Sequence, residues 1–215
     1  MVERKKVNLK QIVTKNEHIC LLGQTGCGKT YGMLDLIDTA KNISLFIFDV
    51  KQEDFNKLKG FKIVKNFIDF KKEILNKDKK IKKIIVQDSN LLDNFEQYLT
   101  FLWNIGKNYR ILIDEITRFV TKAKIPSIME RFYVEGRSKG RIIWSAGQRF
   151  QLIHNTILSQ STFFWVFWLG IKSDREQAAD WLDLAENNTK FQDLTEFESF
   201  FKHNKAREKV YITKF

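Results

Sequence analysis

One proline, Pro126, occurs in 215 residues, and no stretch is rich in serine, glycine and proline together. No linker is visible, so a single domain over residues 1–215 is expected. Cysteine is scarce as well. Cys20 falls on an apolar run and Cys27 inside a glycine-rich loop. Neither position suggests a disulfide, two cysteines are too few for a metal cluster, and a reducing compartment fits. Long hydrophobic runs are missing. The strongly apolar stretch Phe163–Ile171 is nine residues long, under half of a membrane span, and reads as a buried strand. Met1–Gln11 is charged and has no apolar segment, so a secretory leader is not expected. Acidic residues are outnumbered 26 to 37 by Lys and Arg, giving a formal charge of +11. That balance favours a polyanionic partner, nucleic acid or an anionic membrane face, without choosing between them.

What is present in quantity is apolar and aromatic. A hydrophobic fraction of 43% with 19 Phe describes a globular chain with a large aromatic core. Its organising element is Gly23–Gln24–Thr25–Gly26–Cys27–Gly28–Lys29–Thr30, between the apolar run Ile19–Leu22 and a segment with helical character to about Lys41. This is G-x-x-x-x-G-K-[ST] in the strand–loop–helix setting that the motif requires. The glycines let the backbone approach phosphate oxygens, and the loop amides with the helix N-terminus present donors to them. Lys29 is expected to reach the β- and γ-phosphates of ATP, and the Thr30 hydroxyl to bind Mg²⁺.

The remaining pattern is that of an α/β chain. Ser44–Val50 is a near-continuous apolar strand of the kind buried on both faces of a parallel sheet, and Phe61–Val64 and Ile84–Gln87 read as further strands. Asp69–Leu75 suggests a short helix. Asn90–Gly106 carries Leu91, Leu92, Phe95, Tyr98, Leu99, Leu102 and Ile105 at helical spacing and reads as a packed amphipathic crossover helix. Val2–Glu17 is expected to be an edge strand, or an arm against the nucleotide base. Lys71–Lys83 holds seven lysines, a solvated face or a DNA-facing patch. Pro126 opens a helix to about Glu135, and Gly136–Gly140 is a compact basic turn. Arg141–Ala146 is a strand, Gln151–Leu158 a short helix, and Thr162–Leu169 the last buried strand. Ser173 with Glu176 suggests a capping box at the start of a helix to Leu184. Leu194–Phe201 reads as another short helix, and Lys202–Phe215 as an edge strand or basic arm.

Tyr109–Ile113 is a buried strand ending in Asp114–Glu115, the expected partner of the phosphate loop. Asp114 would organise the Mg²⁺ shell, and Glu115 would act as base on the attacking water. An acid directly after the magnesium aspartate favours ATPases that do mechanical or nucleic-acid work. No Asn-Lys-x-Asp base reader of a GTPase is present, since Asn76–Lys77–Asp78 places its aspartate one position early. Between Thr30 and Asp114, 84 residues apart, there is room for a strand inserted between the two nucleotide strands. Gln148 then falls at the carboxyl end of a strand beside that of Asp114, where its amide would meet the γ-phosphate or the lytic water.

Taken in order, these features resemble the FtsK/HerA superfamily of DNA-translocating ATPases. They are Gly23–Thr30, Phe48–Asp49–Val50–Lys51 with Glu53 beyond, Leu112–Glu115, and Arg137–Gly140 leading through a strand to Ser145–Arg149. The likeness, over about residues 15–185, is closest to the genome-packaging ATPases of tailless viruses with an internal membrane. Ala146 stands where that family commonly carries Thr or Ser. The resemblance implies a three-layer, RecA-like fold with a mainly parallel sheet, Lys29 and Thr30 as Walker A, Asp114 and Glu115 as Walker B, and Gln148 as sensor. It also implies a pentameric or hexameric ring in which an arginine of one subunit reaches the next subunit's nucleotide. Arg137 is the first candidate, with Arg149 and Arg131 in reserve. The implied work is packaging double-stranded DNA into a preformed capsid, in the host cytoplasm and at the packaging vertex of the virion. Capsid or portal-vertex proteins and the internal viral membrane would be partners. A filamentous-phage-type export ATPase would want a transmembrane span. A small nucleotide kinase would want a lid and an arginine-rich acceptor pocket, and the acidic pair with Gln148 suits activation of water better. A non-enzymatic nucleotide-gated scaffold would be expected to have lost Lys29 or Glu115.

Overall fold

The computed structural model describes residues 2–78, 80–106, 108–184, 191, 194, 195, 197–204 and 210–214. Its centre is one ten-stranded sheet in the order β1-β10-β9-β8-β2-β7-β6-β3-β5-β4. The strands are β1 (Glu3–Arg4), β2 (His18–Leu22), β3 (Ser44–Phe48), β4 (Lys62–Val64), β5 (Lys83–Val86), β6 (Tyr109–Ile113), β7 (Arg141–Gly147), β8 (Ser161–Val166), β9 (Glu198–His203) and β10 (Tyr211–Lys214). From β8 through β4 every pairing is parallel, and only β9 runs against its neighbours.

Both faces of this sheet are covered, which is why its central strands are apolar on both faces rather than at alternate positions, with Arg110, His18 and Ser145 as buried polar exceptions. Cys20, Leu22, Phe46, Phe48, Ile111, Ile113 and Ile143 face one core. That core is completed by α3 (Phe67–Leu75), α4 (Leu91–Ile105), α5 (Ser127–Glu135), α6 (Asn155–Gln160) and α7 (Lys172–Trp181). Ile19, Leu21, Leu45, Ile47, Leu112, Ile142 and Trp144 face the other, under α1 (Leu9–Thr14) and α2 (Lys29–Thr39). The result is the three-layer α/β architecture of a RecA-like P-loop protein. The lysine-rich run occupies the exposed end of α3, the following turn and the start of β5. Lys71, Lys72, Lys77 and Lys80 are exposed, and Lys79 lies outside the described residues.

Several elements differ from what the sequence suggests. Leu194 and Thr195 are not helical, and Glu198–His203 is a strand. Phe200 enters one core and Phe201 the other while the backbone pairs with β8. An adjacent aromatic pair suits a two-sided strand, and β8's free edge decides the matter over local propensity. The tail is a strand only at Tyr211–Lys214, and it is not the edge, since it lies between β9 and β1; residues 205–209 and 215 lie outside the described residues. At the N-terminus only Glu3–Arg4 is strand, paired with β10. Leu9–Thr14 is a helix, capped by the Asn8 side chain accepting from the Gln11 amide. This arm lines a pocket with Phe163, Phe201 and Tyr211, while Ile12 and Val13 enter the core shared with α2. Ser173 does not cap α7, which begins at Lys172 after Ile171. Gln151–Leu158 is divided between a 3-10 turn, Phe150–Leu152, and α6, whose N-cap His154 accepts from the Thr156 amide.

Candidate functional site

The carboxyl ends of β2, β7, β6 and β3 are neighbours, and their following residues form one cluster. β2 runs into the phosphate loop, and the Gly23 amide donates to the Gly147 carbonyl of β7 (3.1 Å). The Gln24 amide donates to the Trp168 carbonyl beyond β8 (2.9 Å). These two bonds hold the loop against the strands on either side of β2. Gly28 sits at φ 106° immediately before α2, a conformation that side chains rarely adopt. Gly23 has no room for a side chain. An added Cβ would lie 2.6 Å from Cys27 Sγ and 2.7 Å from Phe167 Cβ.

Lys29 opens α2, is 8% exposed, and its Nζ donates to the Gln24 carbonyl at 2.7 Å. Burial depresses its pKa, opposed by the nearby Cys27, Glu115 and Asp114. The lysine is thus folded back across the loop in reach of what the loop would hold. Cys27 Sγ donates to the same carbonyl (2.9 Å), and burial raises its pKa. Gln24, Thr25 and Gly26 are exposed, and Thr30 is half-buried.

Asp114 and Glu115 follow β6. Asp114 is 2% exposed, and its Oδ2 has no hydrogen-bond partner among the described residues. Burial lifts its pKa to about 7. Lys51 pulls it down, and Asp54, Asp49 and Glu115 push it up. A buried, unsatisfied carboxylate oxygen beside a phosphate loop is costly unless a cation meets it. Asp114 is therefore a residue that would fit a cation such as Mg²⁺, which it would hold together with Thr30.

Glu115 is buried and bonded from two sides. Gln148 Nε2 donates to Oε2 at 2.7 Å, and Thr117 Oγ1 donates to Oε1 at 2.5 Å. Gln148 comes from the end of β7, which is the strand between β2 and β6. The inserted strand thus delivers the glutamine to the acid. Val50, Lys51, Glu115, Thr117, Arg118, Gln148 and Arg149 line a cleft of about 410 Å³. A water in this cleft would meet a carboxylate fixed in position, and a fixed base is what attack on a phosphoryl group requires.

Arg137 is not in this cluster. It lies before β7, at the opposite, amino edge of the sheet, where it pairs with Glu17 (3.3 Å) and Gln160 (3.4 Å). Arg149 borders the cleft and is bound to the buried Asp174 at 2.6 Å. Arg131 pairs with Glu135 and lies over the Trp103 ring. Sequence reasoning left Thr117 without a role, although its place two residues after the acid was a usable signal. The influence of Lys51 on Asp114 depends on β3 lying beside β6, which no local pattern reveals.

Among solved structures, the genome packaging NTPase B204 of Sulfolobus turreted icosahedral virus 2 in complex with sulfate superposes with a TM-score of 0.71 at 16% identity, covering 92% of this chain and 96% of that one. The same protein in complex with AMPPCP gives 0.70 at 16%, over 93% and 97%. The pCW3 conjugation coupling protein TcpA with ATPγS gives 0.61 at 14%, over 99% of this chain and 64% of that one. At these identities the likeness is one of fold, that of a P-loop NTPase. No curated protein matches the chain by sequence. The profile of one family matches residues 2–137, more than half of the chain, including the phosphate loop and Asp114–Glu115 and ending short of Gln148. This P-loop ATPase belongs to the family described as type III restriction enzyme, res subunit.

Proposed function

We propose that the chain is an ATP-hydrolysing motor that translocates double-stranded DNA, and that its task is to package a viral genome into a preformed capsid. The observation that carries this reading is the Gln148–Glu115 hydrogen bond beside the phosphate loop. A base for water, linked to a sensor on the adjoining strand, couples the state of the γ-phosphate to the rest of the sheet. The loop and Lys29 would hold the triphosphate, Glu115 would take the proton of the attacking water, and Gln148 would orient it. Mg²⁺ held by Asp114 and Thr30 would supply charge neutralisation on the phosphates. A subunit alone would be slow, because the transition-state charge lacks an arginine from a neighbour, for which Arg137 is the candidate. Ring assembly, capsid or portal-vertex contacts and a link to an internal membrane belong to the same proposal. The fold shared with B204 and the +11 charge support it. Among the described residues no helix is long and apolar enough to cross a membrane.

The test is the rate of ATP hydrolysis with and without double-stranded DNA, measured together with particle mass. Stimulation by DNA accompanied by higher oligomers is the expected result. Turnover that depends on a nucleoside acceptor, or that ignores DNA at every protein concentration, would overturn the motor reading.

A further inference from the structure

Most large aromatic side chains of this protein are packed into its two cores, yet Tyr31 is 63% exposed. It is the residue after Thr30, in the first turn of α2, so its backbone is part of the phosphate-loop junction. Facing it is Phe197, which comes from the other end of the chain just ahead of β9. The two ring centroids are 5.3 Å apart at an interplanar angle of 69°, an edge-to-face pair. Phe197 also abuts the loop. A Cβ added at Gly28 would stand 3.0 Å from its Cδ1 and 3.4 Å from its Cα.

Phe197 is held at φ 63°. A bulky side chain in the left-handed region is strained, and such strain persists where the surroundings impose it, with functional sites over-represented. A purely structural aromatic pair would account for burial. It accounts neither for the exposure of Tyr31 nor for a strained backbone that places a second ring against the loop's last glycine.

We propose that Tyr31 and Phe197 form the platform on which the nucleobase of a bound nucleoside triphosphate stacks. The inference rests on the phosphate loop binding a triphosphate, and it adds where the other end of that ligand goes. A polyanion anchored between Gly23 and Thr30 extends its nucleoside past the start of α2, and these two rings stand there with π surface available. Stacking on an aromatic face is tolerant of base identity. The ligand class is therefore a nucleoside triphosphate recognised by its flat ring, with purines favoured over pyrimidines for their larger stacking area.

Calorimetric titration in Mg²⁺ buffer with ATP, GTP, CTP and inorganic tripolyphosphate tests this, using the wild-type chain and the variants Tyr31→Ala, Tyr31→Phe and Phe197→Leu. Tyr31→Ala and Phe197→Leu are expected to weaken ATP and GTP about 5- to 100-fold, to weaken CTP less, and to leave tripolyphosphate unchanged. Tyr31→Phe should bind like wild type. The platform is overturned if Tyr31→Ala binds ATP normally, if it loses ATP and tripolyphosphate in equal measure, or if the wild-type chain binds the two equally well. A wild-type chain that binds neither ATP nor tripolyphosphate overturns the underlying nucleotide reading instead.

Discussion

Gln148 at the end of β7 donates a 2.7 Å hydrogen bond to Glu115 at the end of β6, so the two side chains are mechanically one unit. Thr117 holds the other carboxylate oxygen. With both oxygens tethered, the base has little freedom to leave its position. Replacing Glu115 with Gln keeps the shape and removes the proton acceptor. Hydrolysis should fall by at least about 100-fold while ATP affinity stays within a small factor. Gln148→Ala should lower kcat by about 10- to 100-fold with little change in KM, since it frees the base without touching the phosphates. Phosphate-release kinetics with parallel equilibrium titration of ATP would show both. A Glu115→Gln variant that turns over normally would move the base elsewhere.

Gly23 makes a different kind of prediction, one about space. Its missing side chain accommodates Cys27 Sγ and Phe167 Cβ, each of which an alanine methyl would meet at under 3 Å. Gly23→Ala should destabilise the fold by about 1–3 kcal/mol through overpacking. It should also displace the loop, abolishing triphosphate binding. Cys27→Ala alone should bind normally. Combining the two should restore only part of the affinity, because Phe167 belongs to the sheet's own extension and cannot withdraw. Denaturant unfolding and calorimetry on the three variants would separate the stability effect from the binding effect.

The legible parts of this molecule were those whose pattern is set locally or by burial on two sides. β2, β3, β6 and β7 announce themselves as largely apolar runs, broken only by residues such as Arg110 and Ser145, because helices cover both faces of the sheet. The phosphate loop and the Asp114–Glu115 pair are readable because their chemistry demands particular residues at particular strand ends. Gln148 was readable once a strand was inserted between the other two. What was hidden depends on partners far along the chain. Glu198–His203 becomes a strand because β8 offers a free edge, and Phe200 and Phe201 can then serve opposite cores. Ser173 has the spacing of a capping box but lies inside α7, whose first turn is committed elsewhere. Asp174 there accepts from Arg149 and from the Gln151 amide. The Tyr31–Phe197 pair joins positions 166 residues apart, beyond any local pattern.

His18 predicts how stability responds to pH. The imidazole is fully buried, its Nδ1 accepts from the Ile143 amide at 3.0 Å, and Tyr133 packs on it. Burial, with Arg137 adding to it, lowers its pKa to about 3 from an ordinary 6.5. As pH falls below about 6.5 the unfolded chain takes up a proton that the native chain refuses until about pH 3. Native stability from this group is therefore complete above pH 6.5 and is lost between 6.5 and 3, on the order of a few kcal/mol in total. Asp114 and Asp49, whose pKa values are raised by burial, act in the opposite sense over the acidic range. The difference between wild type and His18→Asn isolates the histidine. Urea unfolding from pH 4 to 8 should show that variant less stable at pH 7.5 but with a shallower decline on acidification.

Arg137 carries the most demanding prediction, because nothing in its own subunit brings it to a phosphate. It stands at the amino edge of the sheet, tied to Glu17, whose carboxylate also accepts from Thr162 Oγ1. Breaking that pair should cost no more than about 1 kcal/mol, since both groups are partly exposed. Its loss should therefore leave folding and ATP binding near wild type. If the arginine serves the neighbouring subunit, however, Arg137→Ala should lower DNA-stimulated turnover by about 10³-fold or more, the scale of a transition-state arginine. The decisive measurement mixes Arg137→Ala with Glu115→Gln subunits, each inactive alone. In a mixed ring, a subunit with an intact Glu115 can sit beside one with an intact Arg137, so activity should reappear. Two variants that stay silent when mixed, in particles shown by mass to contain both, would place the missing arginine elsewhere, and Arg149, already beside the cleft, would be the next to replace.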